Sequence, residues 1–279
     1  MSSRRSTTVS STVPDSARKA AVLGSPITHS RSPQLHLAAY RALGLTSWTY
    51  ERIECTAEQL PGLVGGLGPE WVGLSVTMPG KFAALEFADL RTERAELVGS
   101  ANTLVRMPTG GWRADNTDVD GVVGALGTAG DAALVIGSGG TAPAAVVALA
   151  ELGVQRITVV ARDEGKAARL VELAGRCGAR GSWCDIGSSA LTDAVAAADS
   201  AVSTIPADAA ATYAGTLAAV PRLLDAIYDP WPTPLAAAVE AAGGEAIDGL
   251  QMLLNQAFAQ VEQFTGMPAP RDAMRAALG

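Results

Sequence analysis

The sequence predicts an α/β protein of two lobes, in which the first lobe is built from both chain ends and the second, with a parallel sheet, is inserted into it. Three features carry that prediction. Apolar runs of strand length alternate with helical patterns along most of the chain. A glycine-rich turn, IGSGGTA, lies between one such run and one such helix. A long helical pattern near the C-terminus, LQMLLNQAFAQVEQFTG, has no strand partner of its own and is expected to pack back on the first lobe. Composition agrees: of 279 residues, 48% are hydrophobic and 18% charged, which supplies a buried core. Aromatics reach only 5% while alanine and glycine abound, which suits close packing of helix on sheet.

Residues 1–19 carry arginines and hydroxyls but no apolar stretch, and read as a disordered leader rather than a signal peptide. AAVLGSP has the form of a buried strand and its turn. In SPQLHLAAYRALG, Ser32 can cap a helix, Pro33 can occupy its first turn, and Gly44 can end it. WTYERIEC alternates as a second strand, and VGLSVTMPGK is a third, stopped by Pro79. This alternation indicates a parallel layer. A clearer unit opens near residue 131: DAALVIGSGGTAPAAVVALAELG is strand, turn and helix, followed by the strand RITVVAR and the helix KAARLVELAGRCG. SAVSTIP and RLLDAIYDP add further strands. The expected division is 20–116 together with 251–279 for the first lobe and 117–250 for the second.

Several partners are disfavoured. The net charge of −7, with no basic cluster beyond Arg4 and Arg5, argues against nucleic acid. No run has the length of a membrane span. Cys55, Cys177 and Cys184 are odd in number and lack metal-site spacing, and His29 and His36 are the only histidines, so no metal is expected. Reduced cysteines in a cytoplasmic protein are the simpler reading. Monomer and homodimer both stay open.

Gly137, Gly139 and Ala142 fit G-x-G-x-x-A in the strand–turn–helix context that a Rossmann-like dinucleotide site requires. The first glycine permits the tight turn, the second a close approach to pyrophosphate, and Ala142 close packing of helix on strand. Ser138, Gly140 and Thr141 complete the loop, with free N–H groups facing the phosphates. At the end of the next strand, Arg162 matches a 2′-phosphate and favours NADP. Asp163 beside it suits a free ribose hydroxyl, and so NAD. The balance leans to NADP.

Polar residues at strand ends face that lobe. Lys81 follows a proline-glycine turn, Asn102 and Thr103 interrupt an apolar run, and Asn116, Thr117 and Asp118 precede the crossing between lobes. Singly, each is explained by solvation or capping. Together they outline a cleft.

Seven ordered motifs from about residue 20 to the end carry a resemblance. GSPITHSRSP resembles G-x-P-I-x-H-S-x-S-P, SVTMPGK resembles N-V-T-x-P-x-K, GSANTL resembles G-A-x-N-T-L, and ADNTDVDG resembles x-N-T-D-x-x-G. IGSGGTA, YDPWPTPL and DGLQMLLNQAF complete the set. They are similar to the shikimate dehydrogenase family, and more narrowly to its actinobacterial form. The resemblance implies reversible NADPH-dependent reduction of 3-dehydroshikimate to shikimate, the fourth step towards chorismate and the aromatic amino acids. It implies that Ser30 and Ser32 hold the substrate carboxylate, with Tyr228 near them. It assigns Thr77, Lys81, Asn102, Asp118 and Gln256 to the ring hydroxyls, and Gly249 and Met252 to the nicotinamide pocket. Lys81 would deliver the proton, oriented by Asp118. A structural role is expected for His29.

The chain departs from the family pattern at Ser75, where asparagine is common, at Leu37, in the cofactor loop ARDEGK and in STIPADAA. Two rival readings accompany the main one: a quinate or aminoshikimate dehydrogenase of the same fold, and a non-catalytic sensor of NADP or a shikimate-like ligand. The sensor would not need both Lys81 and Asp118.

Overall fold

The computed structural model describes residues 17–279. Residues 1–16 of the expected leader lie outside the described residues, and the leader's last residue, Lys19, already opens the first strand. That strand, β1 (Lys19–Gly24), is followed by α1 (Ser32–Ala42), β2 (Thr49–Glu54), α2 (Leu60–Gly65), β3 (Trp71–Val76), α3 (Lys81–Phe87), β4 (Leu90–Arg91), α4 (Glu93–Val98), β5 (Thr103–Arg106) and β6 (Trp112–Asp115). The strands form a six-stranded sheet in the order β2-β1-β3-β5-β6-β4. Only part of it is parallel, contrary to expectation. β5 runs antiparallel to both β3 and β6; with β6 the reason is the short turn across residues 107–111, which cannot carry a parallel crossover.

Next, α5 (Asp118–Leu126) leads into β7 (Ala132–Ile136), α6 (Ala142–Glu151), β8 (Arg156–Val160), α7 (Glu164–Arg176), β9 (Arg180–Cys184), α8 (Ala190–Ala196) and β10 (Ser200–Ser203). After these come α9 (Ala207–Ala211), α10 (Ala214–Leu217), β11 (Arg222–Asp225), α11 (Pro234–Ala241) and β12 (Glu245–Ile247). All pairings in this second six-stranded sheet are parallel, in the order β12-β11-β10-β7-β8-β9. The chain winds outward from β7 in both directions, so the strand order reverses between β7 and β10. A doubly wound sheet binds its ligand beyond the strand ends at that reversal.

α12 (Gly249–Thr265) and α13 (Arg271–Ala276) return to the first sheet. Leu254, Phe258, Val261 and Phe264 of α12 share a core with Ala20, Val22, Leu35 and Tyr40, which is where the sequence expects the unpartnered apolar face to go. α12 also packs along α5. The helix is amphipathic in function as well as in packing, since it carries Gln256 and Gln260, both buried, towards the first sheet. Among the described residues no helix is long and apolar enough to cross a membrane.

Candidate active site

A cavity of about 300 Å³ opens where the ends of β1 and β3, the starts of α3 and α5, and α12 converge, and it reaches Thr141 of the glycine turn. Its shape begins with β1. Gly24 ends that strand so close to the next turn that a Cβ would collide with Thr77 Cγ2 and approach the Met78 carbonyl to 2.9 Å. Thr77 is thereby held against the 25–32 loop.

The polar centre is an ion pair. Lys81 Nζ donates to Asp118 Oδ2 at 2.6 Å, with the two side chains only 12% and 10% exposed. Lys81 is the first residue of α3 and Asp118 the first of α5. A carboxylate in the first turn of a helix is favoured by the backbone N–H groups there. Asn102 fixes its other oxygen, donating through Nδ2 to Asp118 Oδ1 at 2.9 Å. Asn102 Oδ1 accepts the Thr117 N–H at 2.7 Å and the Thr103 hydroxyl at 2.8 Å, so its amide orientation is determined. Asn116 Oδ1 accepts the Asp118 N–H at 3.2 Å. Asn102, Thr103, Asn116 and Thr117 are all buried. Joined this way, the residues from two separate motifs form one rigid support for the pair.

Ser30 and Ser32 line the same cavity with Thr77, Gln256 and Tyr228. Ser32 is the first residue of α1 and does not cap it; Arg31 occupies the cap position with no side-chain capping bond. Ser32 is instead buried in the wall of the cavity. β2 holds the loop from outside: Arg52 donates to the Ser30 carbonyl at 2.8 and 2.5 Å, and Glu54 accepts from Ser25 Oγ at 2.6 Å and the Ile27 N–H at 3.1 Å. The turn just before Tyr228 is held by buried Asp225, which accepts the Ile227 N–H at 3.2 Å and the Thr233 hydroxyl at 2.7 Å. Burial raises the Asp225 carboxyl above its usual range. Burial likewise raises the Tyr228 phenol, while Arg31 pulls it down. Gly249 and Met252 also line this cavity. His29 is exposed and lies on the rim of this cavity.

At the reversal of the second sheet, Gly137 adopts φ +112°, and a Cβ there would lie 2.6 Å from Thr204 Oγ1 and 2.7 Å from Ile205 Cγ2. Glycine is required on both counts. Gly139 and Gly140 differ: a Cβ on either would meet open space, which is the room a pyrophosphate would take. Thr141 precedes α6 without a side-chain cap, and buried Ala142 opens the helix. Gly137 and Ser138 also line a second cavity of about 260 Å³ with Arg162, Lys166 and Tyr213. Asp163 caps α7, accepting the Lys166 N–H at 3.0 Å. One oxygen of the carboxylate that could favour a free ribose hydroxyl is thus engaged by its helix, while Arg162 in the same cavity makes no ion pair. These residues fit a phosphorylated dinucleotide.

Three contributors escaped the sequence reading: Tyr50, Gln260 and Asp225. Gln260 had a signal, since it lies one helical turn after Gln256 on the same face. Ser75, noted only as a departure from pattern, lines the cavity with Gln260.

Comparison with known proteins gives the family. Residues 22–104 match the model of the shikimate dehydrogenase substrate binding domain, and residues 249–278 that of the shikimate 5'-dehydrogenase C-terminal domain. A protein of Methylobacterium radiotolerans named shikimate dehydrogenase (NADP(+)) is 37% identical, over 91% of this chain and 93% of that protein. The crystal structure of a shikimate 5-dehydrogenase from Mycobacterium fortuitum is 89% identical with a TM-score of 0.90, covering 94% of this chain and 98% of that one. That of Mycobacterium tuberculosis shikimate dehydrogenase is 75% identical with a TM-score of 0.92, at the same two coverages. At these identities and coverages, the chain belongs to the shikimate dehydrogenase family.

Proposed function

We propose that the protein catalyses the reversible NADPH-dependent reduction of 3-dehydroshikimate to shikimate. One observation carries the reading: Lys81 and Asp118 form a 2.6 Å pair inside a cavity that also contains Ser30 and Ser32 and extends to Thr141. A proton donor, an anion clamp and a cofactor loop then address one small molecule.

When bound, NADPH supplies the hydride to the ketone carbon. The residues of the chain do the rest. Ser30 and Ser32 hold the substrate carboxylate, with Tyr228 beside them. Thr77, Asn102 and Gln256 receive the ring hydroxyls. Lys81 places its ammonium at the ketone oxygen, stabilises the negative charge growing there and delivers the proton, which completes the alcohol. Asp118 orients Lys81 through one oxygen and is itself held by Asn102 through the other. In the reverse direction Lys81 receives the alcohol proton.

Gly137, Ser138, Gly139, Gly140, Thr141 and Ala142 hold the pyrophosphate, and Arg162, with Lys166 beside it, takes the 2′-phosphate. Gly249 and Met252 border the nicotinamide. The lobes correspond to 20–116 with 251–279 and to 117–250. A cytoplasmic location follows from this biosynthetic role, and Cys55, Cys177 and Cys184 are free, as a reducing compartment would keep them.

Initial rates with shikimate and with quinate, each against NADP and NAD, test the reading. Turnover is expected with shikimate and NADP above the other three combinations. Absence of turnover with shikimate would overturn it; a preference for quinate would move the assignment to the rival dehydrogenase.

A further inference from the structure

Asp118 owes its place to the turn it ends, and that turn is gripped from behind. β6 stops at Asp115 and α5 starts at Asp118, so only Asn116 and Thr117 lie between them. The Asp115 side chain is 6% exposed and gathers donors from several elements. Its Oδ1 accepts the Thr92 hydroxyl at 2.8 Å, Arg94 Nε at 3.2 Å and the Asn116 N–H at 2.8 Å. Its Oδ2 accepts Arg94 Nη2 and Gln263 Nε2, each at 2.7 Å. A carboxylate only accepts, so Thr92 gives it its proton while taking the Ala95 N–H as the cap of α4. Burial opposes the charge on Asp115, but Arg94 and Thr92 hold its carboxyl below the usual range.

From Asp115 the path to the ion pair is short. Asn116 donates its N–H to Asp115 and its Nδ2 to the Ser100 carbonyl at 2.9 Å, which leaves Oδ1 to accept the Asp118 N–H at 3.2 Å. Arg94 also reaches past Asp118. Its Nη1 lies 2.8 Å from Asp120 Oδ2, a charge contact outside hydrogen-bond alignment. One guanidinium therefore holds the chain on both sides of Asp118, at 115 and at 120. Its planar fork makes that possible, whereas an ammonium is a single point charge. Arg94, Asp115 and Asp120 are not in the wall of the cavity, so what they do for the reaction passes through other residues.

We propose that Arg94 is a positioning residue for proton transfer, fixing the 115–120 segment so that Asp118 meets Lys81 at hydrogen-bond distance. This rests on the reading of Lys81 and Asp118 given above. Asn102 holds the Asp118 carboxylate, and Arg94 holds the backbone that carries it. Without Arg94 the start of α5 is free to shift, and a displacement on the order of 1 Å costs about a hundredfold in rate at such a site.

The test is a set of kcat and KM values for shikimate and NADP in Arg94→Met, Arg94→Lys, Asp118→Asn and the Arg94→Met, Asp118→Asn double variant, each with a melting curve. Arg94→Met is expected to lower kcat by about ten- to a hundredfold, with both KM values within about threefold. Arg94→Lys keeps the charge without the fork and should recover only part of that loss. On Asp118→Asn the further loss from Arg94→Met should shrink to about threefold or less, because the carboxylate that Arg94 places is already gone. An unchanged kcat in Arg94→Met overturns the proposal, as does full recovery with lysine. A loss that multiplies in full on Asp118→Asn also overturns it, since Arg94 would then support the fold alone. Should the melt show Arg94→Met unfolded, Arg94→Lys takes its place in the same cycle. If Asp118→Asn by itself leaves kcat unchanged, it is the reading of the ion pair that fails.

Discussion

Replacing Lys81 by methionine removes the ammonium while keeping most of the stem, and the structure sets what should be lost. The ammonium has one protein partner, Asp118 Oδ2 at 2.6 Å, inside a site where both side chains are nearly excluded from water. As general acid it is expected to contribute about 10²–10⁴-fold, or roughly 3–5 kcal/mol of transition-state stabilisation. The stability cost should be smaller than the several kcal/mol typical of a broken buried pair. Asp118 would keep the 2.9 Å bond from Asn102 Nδ2 and its place in the first turn of α5. The expected result is a kcat lower by about 10²–10⁴-fold, KM for shikimate within a few-fold, and a melting temperature lower by only a few degrees. The assay is NADPH formation from shikimate at saturating NADP, run beside a thermal melt. A kcat within about threefold of the parent would refute the assignment of Lys81 as proton donor.

Other outcomes follow from the same geometry. Arg162→Gln should weaken NADP by about ten- to a hundredfold, the value of a charge-assisted hydrogen bond, and leave NAD nearly unaffected; the ratio of kcat/KM for the two cofactors measures it. Asp163→Ala should instead cost about 1 kcal/mol of stability through the lost α7 cap without changing that ratio, and a large swing towards NADP or NAD would contradict the capping assignment. Gly137→Ala meets both a positive φ and crowding by Thr204 and Ile205, so a loss of about 1–3 kcal/mol in chemical unfolding is expected, together with a raised KM for NADP. His36 is neutral when folded, with its pKa down from 6.5 to about 3, so the unfolded chain binds more protons between those values and stability falls as pH falls through that window. The effect has a ceiling of about 5 kcal/mol, and His36→Phe should flatten the slope of unfolding free energy against pH there.

Much of the fold was legible because its signals are local. Gly137 must be glycine for its own φ and for what stands next to it, and the strand and helix on either side of it announce the turn. The run after Gly249 is apolar on one face, and a face of that kind has to find a core. Ser32 shows the limit. A serine before a proline at a helix start is a standard cap, yet Ser32 stands inside the helix, with Arg31 at the cap position, and lines the cavity. The mixed character of the first sheet was hidden for a related reason, since strand pairing depends on where a chain returns and on how short a turn it uses.

The order of motifs along the chain, by itself, carried the class of this protein: a glycine turn, a lysine after a proline-glycine step and an Asn-Thr-Asp run outline a cleft beside a dinucleotide loop, and the seven motifs in sequence resemble one family. Tertiary structure decided how those groups act. It brought Lys81 to 2.6 Å from Asp118 across 37 positions of sequence, turned Asp163 into a helix cap, and tied Gln260 of α12 to Ser75 of β3. The reason is physical. Which hydrogen bonds form, and in which direction their protons point, is settled by distances of a few tenths of an ångström between groups far apart along the chain.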